Sequence, residues 1–491
     1  MTPATGGSTT MANEYSLSSW PDEREIYAKM KALVGGRVRA LRRDSLAGYL
    51  DYFETRCAGS KAMIEEAKKY IPGGVQHNLA FNYPFPLAVR KAEGPYLYDV
   101  DGNRYVDYLQ AGGPTLLGSN YLPVQEKALQ VIKETSPCTG LFSEYELALA
   151  RIINANMPWV ERYRSLASGT EADMVAIRIA RTFTGKKKII KVGGAYHGWS
   201  DQLVYGLHIP GTRTFEAHGI PAEASANTQE FWPNDTAALR KLLEANRADG
   251  GTAAVILEPL GPESGTYPVT RSFNEEAREL CDEFEALLIF DEVVTAFRVG
   301  PGGAQGYFNV RPDLTVFGKI VSGGYPAAGG VGGRADVMAC IAAGVNPGKP
   351  RAYVGGTLSA NPLSCAAGYY AIKEIVEKDA AKKAGIQGDR LAAGLKALVE
   401  ERGLPFVVWN TGSIVHFEMA GLMYLSAADP DIVPKIGERK RAVEEFGAAL
   451  TAKGVITLAG SRLYTSMADG DETLAQTLAA FEHALDSIER D

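Results

Sequence analysis

Short apolar runs bounded by turn residues punctuate the middle of the chain. YRSLAS (163–168), KKIIKV (187–192), AAVILEP (253–259), ALLIFDEV (286–293) and DLTVFGK (313–319) each have the length and residue types of a buried strand. Before the first of them, over 144–157, and between later ones, over 170–183 and 272–285, the pattern turns helical. Buried strands alternating with helices predict an α/β fold with a mostly parallel sheet. Upstream, residues 88–109 alternate apolar and polar around Asp101-Gly102, which predicts a hairpin. The run SKAMIEEAKKY (60–70) predicts a helix with Ser60 as its N-cap, stopped by Pro72-Gly73-Gly74. Residues 20–56 mix many charges with apolar positions at helical spacing. They predict one or two amphipathic helices, either packed on another element or standing as a solvated appendage. Residues 1–19 are rich in Ser, Thr and Gly and are expected to be disordered. From 360 onward, long helices with a few strands predict a separate, smaller lobe. No fixed-period repeat is present.

Composition narrows the function. At 46% apolar residues over 491, the chain has ample material for a large core, which excludes wholesale disorder. The net charge of −7 argues against a life on nucleic-acid phosphates. The five cysteines are odd in number and far apart in sequence. They predict neither a disulfide framework nor a zinc site, but free thiols in a reducing, cytoplasmic setting. No signal peptide and no apolar stretch of membrane-spanning length are read, so no membrane partner is expected.

Four places could carry chemistry, each at the C-terminal end of a predicted strand or just after it, where open α/β sheets bind ligands. Ser168-Gly169-Thr170-Glu171-Ala172 would open a helix with free backbone N–H groups, a cradle for phosphate; it also reads as an ordinary helix cap. Asp291 closes a buried apolar strand and needs a cation or a protonated nitrogen, which a structural ion pair or a metal would also supply. Lys319 ends another strand. It could form an imine with an aldehyde, or it is a lysine reaching out from the sheet rim. Tyr196-His197-Gly198-Trp199 offers an aromatic plate for a flat ligand, or core packing. The other histidines are scattered without metal-ligand spacing. Taken together, the four meet the binding demands of one ligand, pyridoxal 5′-phosphate, whose ring acts as an electron sink.

These runs resemble the class III aminotransferases of fold type I, and among them the glutamate-1-semialdehyde 2,1-aminomutase branch. The resemblance spans roughly residues 60 to 490. It rests on IPGGV (71–75), YLYDVDGNRYVDY (96–108), ASGTEADMVAIRIAR (167–181), KIIKVGGAYHGW (188–199), FDEVVTAFR (290–298), PDLTVFGKIVSGGYP (312–326) and GGTLSANPLSCAAG (355–368). It implies a seven-stranded-type central sheet with helices on both faces and a smaller α+β domain. The expected boundaries are an N-terminal extension (1–56), the first part of the small domain (57–110), a large cofactor-binding domain (111–370) and the rest of the small domain (371–491). Lys319 is implied as the residue of the internal aldimine and the proton shuttle. Asp291 is implied as the partner of the pyridine nitrogen, with Val293 on one ring face and Tyr196 stacked on the other beside His197. Ser168, Gly169 and Thr170 would hold the phosphate. Glu258 would order Asp291 or the substrate side. Thr357 would reach the cofactor phosphate of a neighbouring subunit, which implies a homodimer with shared active sites.

Four positions depart from the aminomutase pattern. No arginine follows IPGGV, where the branch holds the substrate carboxylate. Ala111-Gly112-Gly113-Pro114 replaces a Ser-Trp-Gly-Pro run. Glu263 stands where asparagine is common, and Tyr464 where the branch has glutamate. The expected activity is therefore transamination between an amine or amino acid, aromatic or bulky ones included, and a keto acid. An ammonia-lyase, epimerase or aminomutase acting through the same cofactor is the alternative. Phe81, Tyr83 and Phe85 could wall an aromatic pocket or simply pack. Arg462, ahead of Arg298 and Arg164, could take a substrate carboxylate, and Glu263 a substrate ammonium.

Overall fold

The computed structural model describes residues 14–80, 82–213, 215, 217–344 and 350–490. Phe81, a candidate pocket residue, and residues 1–13 lie outside them. The described residues contain fourteen strands: β1 (Val89–Glu93), β2 (Tyr96–Asp99), β3 (Arg104–Asp107), β4 (Arg162–Leu166), β5 (Lys188–Val192), β6 (Thr228–Phe231), β7 (Thr252–Leu257), β8 (Leu287–Asp291), β9 (Leu314–Gly318), β10 (Gly329–Gly333), β11 (Val407–Thr411), β12 (Ile414–Glu418), β13 (Val455–Ile456) and β14 (Arg462–Tyr464). The chain divides into two units. One comprises Met1–Trp20 and Pro123–Lys383, the other Pro21–Leu122 and Ala384–Asp491. No described helix is long and apolar enough to cross a membrane.

The first unit is built on a seven-stranded sheet of order β4-β10-β9-β8-β7-β5-β6. The pairs β6–β5, β5–β7, β7–β8 and β8–β9 are parallel, and β10 runs antiparallel to both β9 and β4. Side chains of successive strand residues alternate between two cores. Ile189, Ala254, Ile256, Leu287 and Ile289 pack under the helix Gly169–Thr184. Ile190, Val255, Leu257, Leu288 and Phe290 pack with Leu239, Leu243, Phe273 and Leu280 of the helices Thr236–Arg247 and Phe273–Glu283. Both sheet faces are covered, which is why the strands read as apolar runs rather than as alternating ones.

Two strands escaped the sequence pattern. β6 is short and half polar. β10 reads GGVGG, a composition depleted in strands, yet its glycines are needed for close approach. A Cβ at Gly330 would run into the ring of Tyr163 on β4, and one at Gly329 into the backbone of Ser168.

The second unit holds a four-stranded sheet, β1-β2-β3-β13, and a three-stranded one, β11-β12-β14. The predicted hairpin is β2–β3, antiparallel, turning at Gly102 with φ of +88°. The helix Ala58–Ala67 forms where expected, but Ser60 is not its N-cap. Asp101, from the hairpin turn, accepts the backbone N–H groups of Gly59 (2.6 Å) and Ser60 (2.9 Å) and the Ser60 hydroxyl (3.0 Å). A distant carboxylate thus satisfies the orphan donors that a local serine was expected to take.

The N-terminal segments are also better anchored than their composition suggests. The helices Glu23–Gly35 and Arg43–Arg56 place Ile26, Met30, Leu33, Leu46 and Tyr49 in the main core of the second unit. They are structural members of that unit, not a solvated appendage. Residues 14–19, expected to be disordered, dock on the first unit. Leu17 is buried, Ser16 N–H donates to Val299 O (2.7 Å), and the Tyr15 ring lies against Gly300, Gly302 and Gly306, where any Cβ would collide with it. Three glycines and one tyrosine supply this fit, a pattern that local polarity does not reveal.

Candidate active site

The parallel arrangement brings the C-terminal ends of β4, β5, β7, β8 and β9 to one edge of the sheet, and the candidate residues of the first unit lie on those ends. Asp291 ends β8 opposite Val316 of β9. Three residues beyond Val316, Lys319 opens a 3₁₀ turn with φ of +48°, a left-handed conformation that non-glycine residues rarely adopt. Such strain tends to be kept where it aims a functional side chain. Asp291 is buried. Its Oδ2 meets Nδ1 of His197 at 2.8 Å, and its Oδ1 accepts the Val293 N–H at 3.0 Å. Burial lowers the pKa of His197, which leaves the imidazole neutral and able to donate from Nδ1.

Ser168 caps the helix Gly169–Thr184, its hydroxyl accepting the Glu171 N–H at 3.2 Å. Gly169 and Thr170 occupy the first turn, where backbone N–H groups have no intrahelical acceptor and the helix dipole favours an anion. Val293 fills the space between this turn and the end of β9. A Cβ at Gly169 would stand 2.9 Å from Val293 Cγ2, and one at Gly318 2.8 Å from Cγ1. Ordinary capping by Ser168 leaves the N–H groups of the first turn able to take an anion as well.

Glu258, just past β7, ties the loops together. Its carboxyl accepts the backbone N–H groups of Tyr196 (3.1 Å), Glu263 (2.9 Å) and Ser264 (2.8 Å). Burial, then the neighbouring Glu263 and Asp291, push its pKa up to about 8 against the pull of those donors. Its reach is to Tyr196 and the 261–266 turn rather than to Asp291 itself. Glu263 and Ser264 sit at positive φ in that turn, and Glu263 Oε1 lies 3.6 Å from His208 Nε2.

Two residues at this edge were not singled out from sequence. Asp173 lies on the buried face of the helix Gly169–Thr184 with Ala172, Ala176 and Ile177. Lys191 is fully buried on β5, and its ammonium donates to the carbonyls of Ala195 (2.8 Å), Tyr205 (2.7 Å) and Leu203 (3.3 Å). It thereby clamps the loop that carries Tyr196 and His197. A charge inside an otherwise apolar run was the available signal in both cases. The second acid of FDEV, Glu292, is structural: its buried carboxylate accepts from the Thr295 hydroxyl, the Ala304 and Gln305 N–H groups and the Gln305 amide.

The candidates outside this edge fare differently. Thr357 is exposed in the first unit, its carbonyl facing Cys138 Sγ at 3.8 Å. Arg298 is fully buried and so is closed to a substrate carboxylate; Arg164 donates to Ile341 O at 3.3 Å. Arg462 and Tyr83 belong to the second unit. Arg462 Nη1 lies 3.4 Å from the Tyr464 hydroxyl, and its charge acts on buried Glu418. Tyr83 packs on that unit's core, and Phe85 meets Phe53 edge-on at 5.8 Å, so both make the ordinary packing contacts that were the plainer of their two readings.

Comparison with known proteins agrees with this geometry. The aminotransferase class-III family model matches residues 79–485, and the chain belongs to that family. Class III aminotransferases depend on pyridoxal 5′-phosphate. Among solved structures, an omega-transaminase from Sphaerobacter thermophilus is 28% identical, with a TM-score of 0.78 over 89% of this chain and 99% of its own. A β-phenylalanine aminotransferase from Variovorax paradoxus is 27% identical, with a TM-score of 0.76 over 89% and 96%. A glutamate-1-semialdehyde aminomutase from Pseudomonas aeruginosa is 22% identical, with a TM-score of 0.77 over 94% and 99%, a likeness of fold.

Proposed function

We propose that this aminotransferase holds its cofactor at the C-terminal edge of the seven-stranded sheet, with Lys319 Nζ as the amine bonded to the cofactor's aldehyde carbon. The observation that carries the reading is the pairing of Asp291 with Lys319 on adjacent parallel strand ends, the first buried and held by His197, the second on a strained turn. A buried carboxylate whose side-chain partner is a neutral imidazole suits a protonated ring nitrogen, and the helix start at Gly169, with no Cβ to foul Val293, suits a phosphate. Bound there, pyridoxal phosphate supplies an aldehyde for amine exchange and a ring that accepts the electron pair released at the substrate carbon.

The chain's own residues do the rest. Asp291 holds a proton on the ring nitrogen and so keeps the ring electron-poor. Ser168, Gly169 and Thr170 bind the phosphate. Val293 and Tyr196 would pack against the ring, and Glu258 orders the Tyr196 loop. Lys319 Nζ, as a free amine, would take the proton from the substrate carbon and pass it to the cofactor side.

The assembly we propose is a homodimer. Leu141, Phe142, Tyr353 and Leu358 are each more than half exposed, on two segments that meet at Cys138 and Thr357. A second copy covering this apolar surface would bring Thr357 to the partner's phosphate. All five cysteines are free, in keeping with a reducing cytoplasm. For the donor we favour a bulky or aromatic amine or amino acid. Trp199 stands exposed two residues beyond His197, and the Variovorax neighbour is named for β-phenylalanine.

Borohydride reduction of the yellow holoenzyme followed by peptide mapping tests the central assignment. The label is expected on Lys319, and Lys319→Ala should lose turnover while keeping its far-UV circular dichroism. A label on another lysine, or undiminished turnover in the variant, would overturn it.

A further inference from the structure

Asp173, His197 and Asp291 form a cluster with little access to water. One donor or acceptor atom from each lies within 4.8 Å of those of the others, and their exposures are 1%, 0% and 5%. One side of the cluster is accounted for, since His197 Nδ1 meets Asp291 Oδ2 at 2.8 Å. On the other side, His197 Nε2 and Asp173 Oδ1 are both buried without a hydrogen-bond partner among the described residues. Two such groups in one dry cluster are costly unless they are joined.

Their protonation states match. Burial, then the nearby carboxyls of Asp291 and Glu258, raise the pKa of Asp173 well above the usual aspartate range, and buried Lys191 opposes this only in part. The shift favours the protonated form of Asp173, which has an O–H to give. The neutral His197, with its own proton on Nδ1, has a lone pair at Nε2 to receive it.

We propose that Asp173 is a positioning residue. It donates a hydrogen bond, directly or through one water, to His197 Nε2, fixing the imidazole proton on Nδ1 and with it the direction in which the Asp291 carboxylate faces. This rests on the reading that Asp291 meets the cofactor's ring nitrogen, and it extends that contact into a buried chain Asp173–His197–Asp291. Outer partners of this kind set the tautomer of a histidine and the aim of the group beyond it. The helix that opens under the phosphate thereby also steers the opposite end of the ring.

The test uses the ¹⁵N NMR tautomer of His197, read in the apo and holo proteins with histidine side-chain labelling, and the dissociation constant for pyridoxal phosphate. The wild type should show His197 protonated on Nδ1. Asp173→Asn keeps an N–H donor and should keep that tautomer, with cofactor affinity within about threefold of wild type. Asp173→Leu keeps the bulk but no donor; it should mix the tautomers and weaken cofactor binding by about tenfold or more. A wild-type His197 protonated on Nε2 would overturn the proposal even if the leucine variant failed to fold. So would a leucine variant with unchanged tautomer and affinity. Asp291→Asn separates the two levels: if it impairs turnover while Asp173→Leu changes nothing, only the outer link fails. If Asp291→Asn is itself harmless, the underlying reading fails.

Discussion

Asp291 and Glu292 are neighbours in sequence and alike in charge, yet their surroundings give them different work. Glu292 spends both oxygens on four donors from Thr295, Ala304 and Gln305, whereas Asp291 takes one backbone N–H and one imidazole. Removing the Asp291 charge should therefore strike function rather than fold. Asp291→Asn is expected to lower kcat by about 10²–10³-fold, the range lost when a preorganised electrostatic group is deleted, with little change in melting temperature. Steady-state kinetics beside a thermal melt checks this, and a variant of near wild-type kcat would refute the role. Lys319 and Asp291 were legible in the sequence because each punctuates the end of an apolar strand, where a charge has no packing reason to be. Asp173 and Lys191 were not, because each sits inside a run whose helical or strand pattern holds without it. Arg298 shows the opposite error: its chemistry suited a carboxylate, but the fold buries it.

At the level of elements, the sheet read correctly where its strands are buried on both faces and failed where packing overrides propensity. GGVGG becomes β10 because Tyr163 and Ser168 crowd it, a constraint that lies in other segments. The Tyr196 loop is likewise organised from outside. Lys191 holds three of its carbonyls and Glu258 one of its N–H groups. Burial pushes the Lys191 pKa down to about 8, so at neutral pH the ammonium is still present to bind those carbonyls. Lys191→Met leaves them without a donor and should cost about 1–3 kcal/mol of stability, the penalty for a buried polar group left unpaired. It should also weaken cofactor binding, because Tyr196 and His197 lose their support. Denaturant titration and a pyridoxal phosphate binding curve would register both effects. Undiminished stability with unchanged affinity would remove Lys191 from this role.

For the whole chain, the sequence pattern separated a parallel-sheet region from a helical lobe. It showed amphipathic helices within 20–56 but not the surface they cover, because that surface comes from distant segments, β11 for the helix Glu23–Gly35 and the helix Ile432–Ala452 for Arg43–Arg56. That unit also carries a pH signature. Burial pushes the pKa of Glu418 up to about 7 from an ordinary 4.5, against the pull of Arg462. Below pH about 4.5 the carboxyl is protonated whether folded or unfolded. Between about 4.5 and 7 the unfolded chain gives up this proton and the native one keeps it, so stability falls as pH rises through that window and stays reduced above it. Glu418→Gln should melt higher than wild type at pH 7.5 and alike at pH 4.5. Equal melting temperatures of the two proteins at both pH values would contradict this.

The most direct test of the whole account is the visible spectrum of the purified protein during titration with a panel of amines and amino acids, in single turnover and without a keto acid. Transamination predicts that the yellow cofactor band bleaches once, with one equivalent of carbonyl product per site and no free ammonia, and most readily for bulky or aromatic donors. Continuous release of ammonia while the yellow band persists would mean an elimination, and would contradict the reaction assigned to this site.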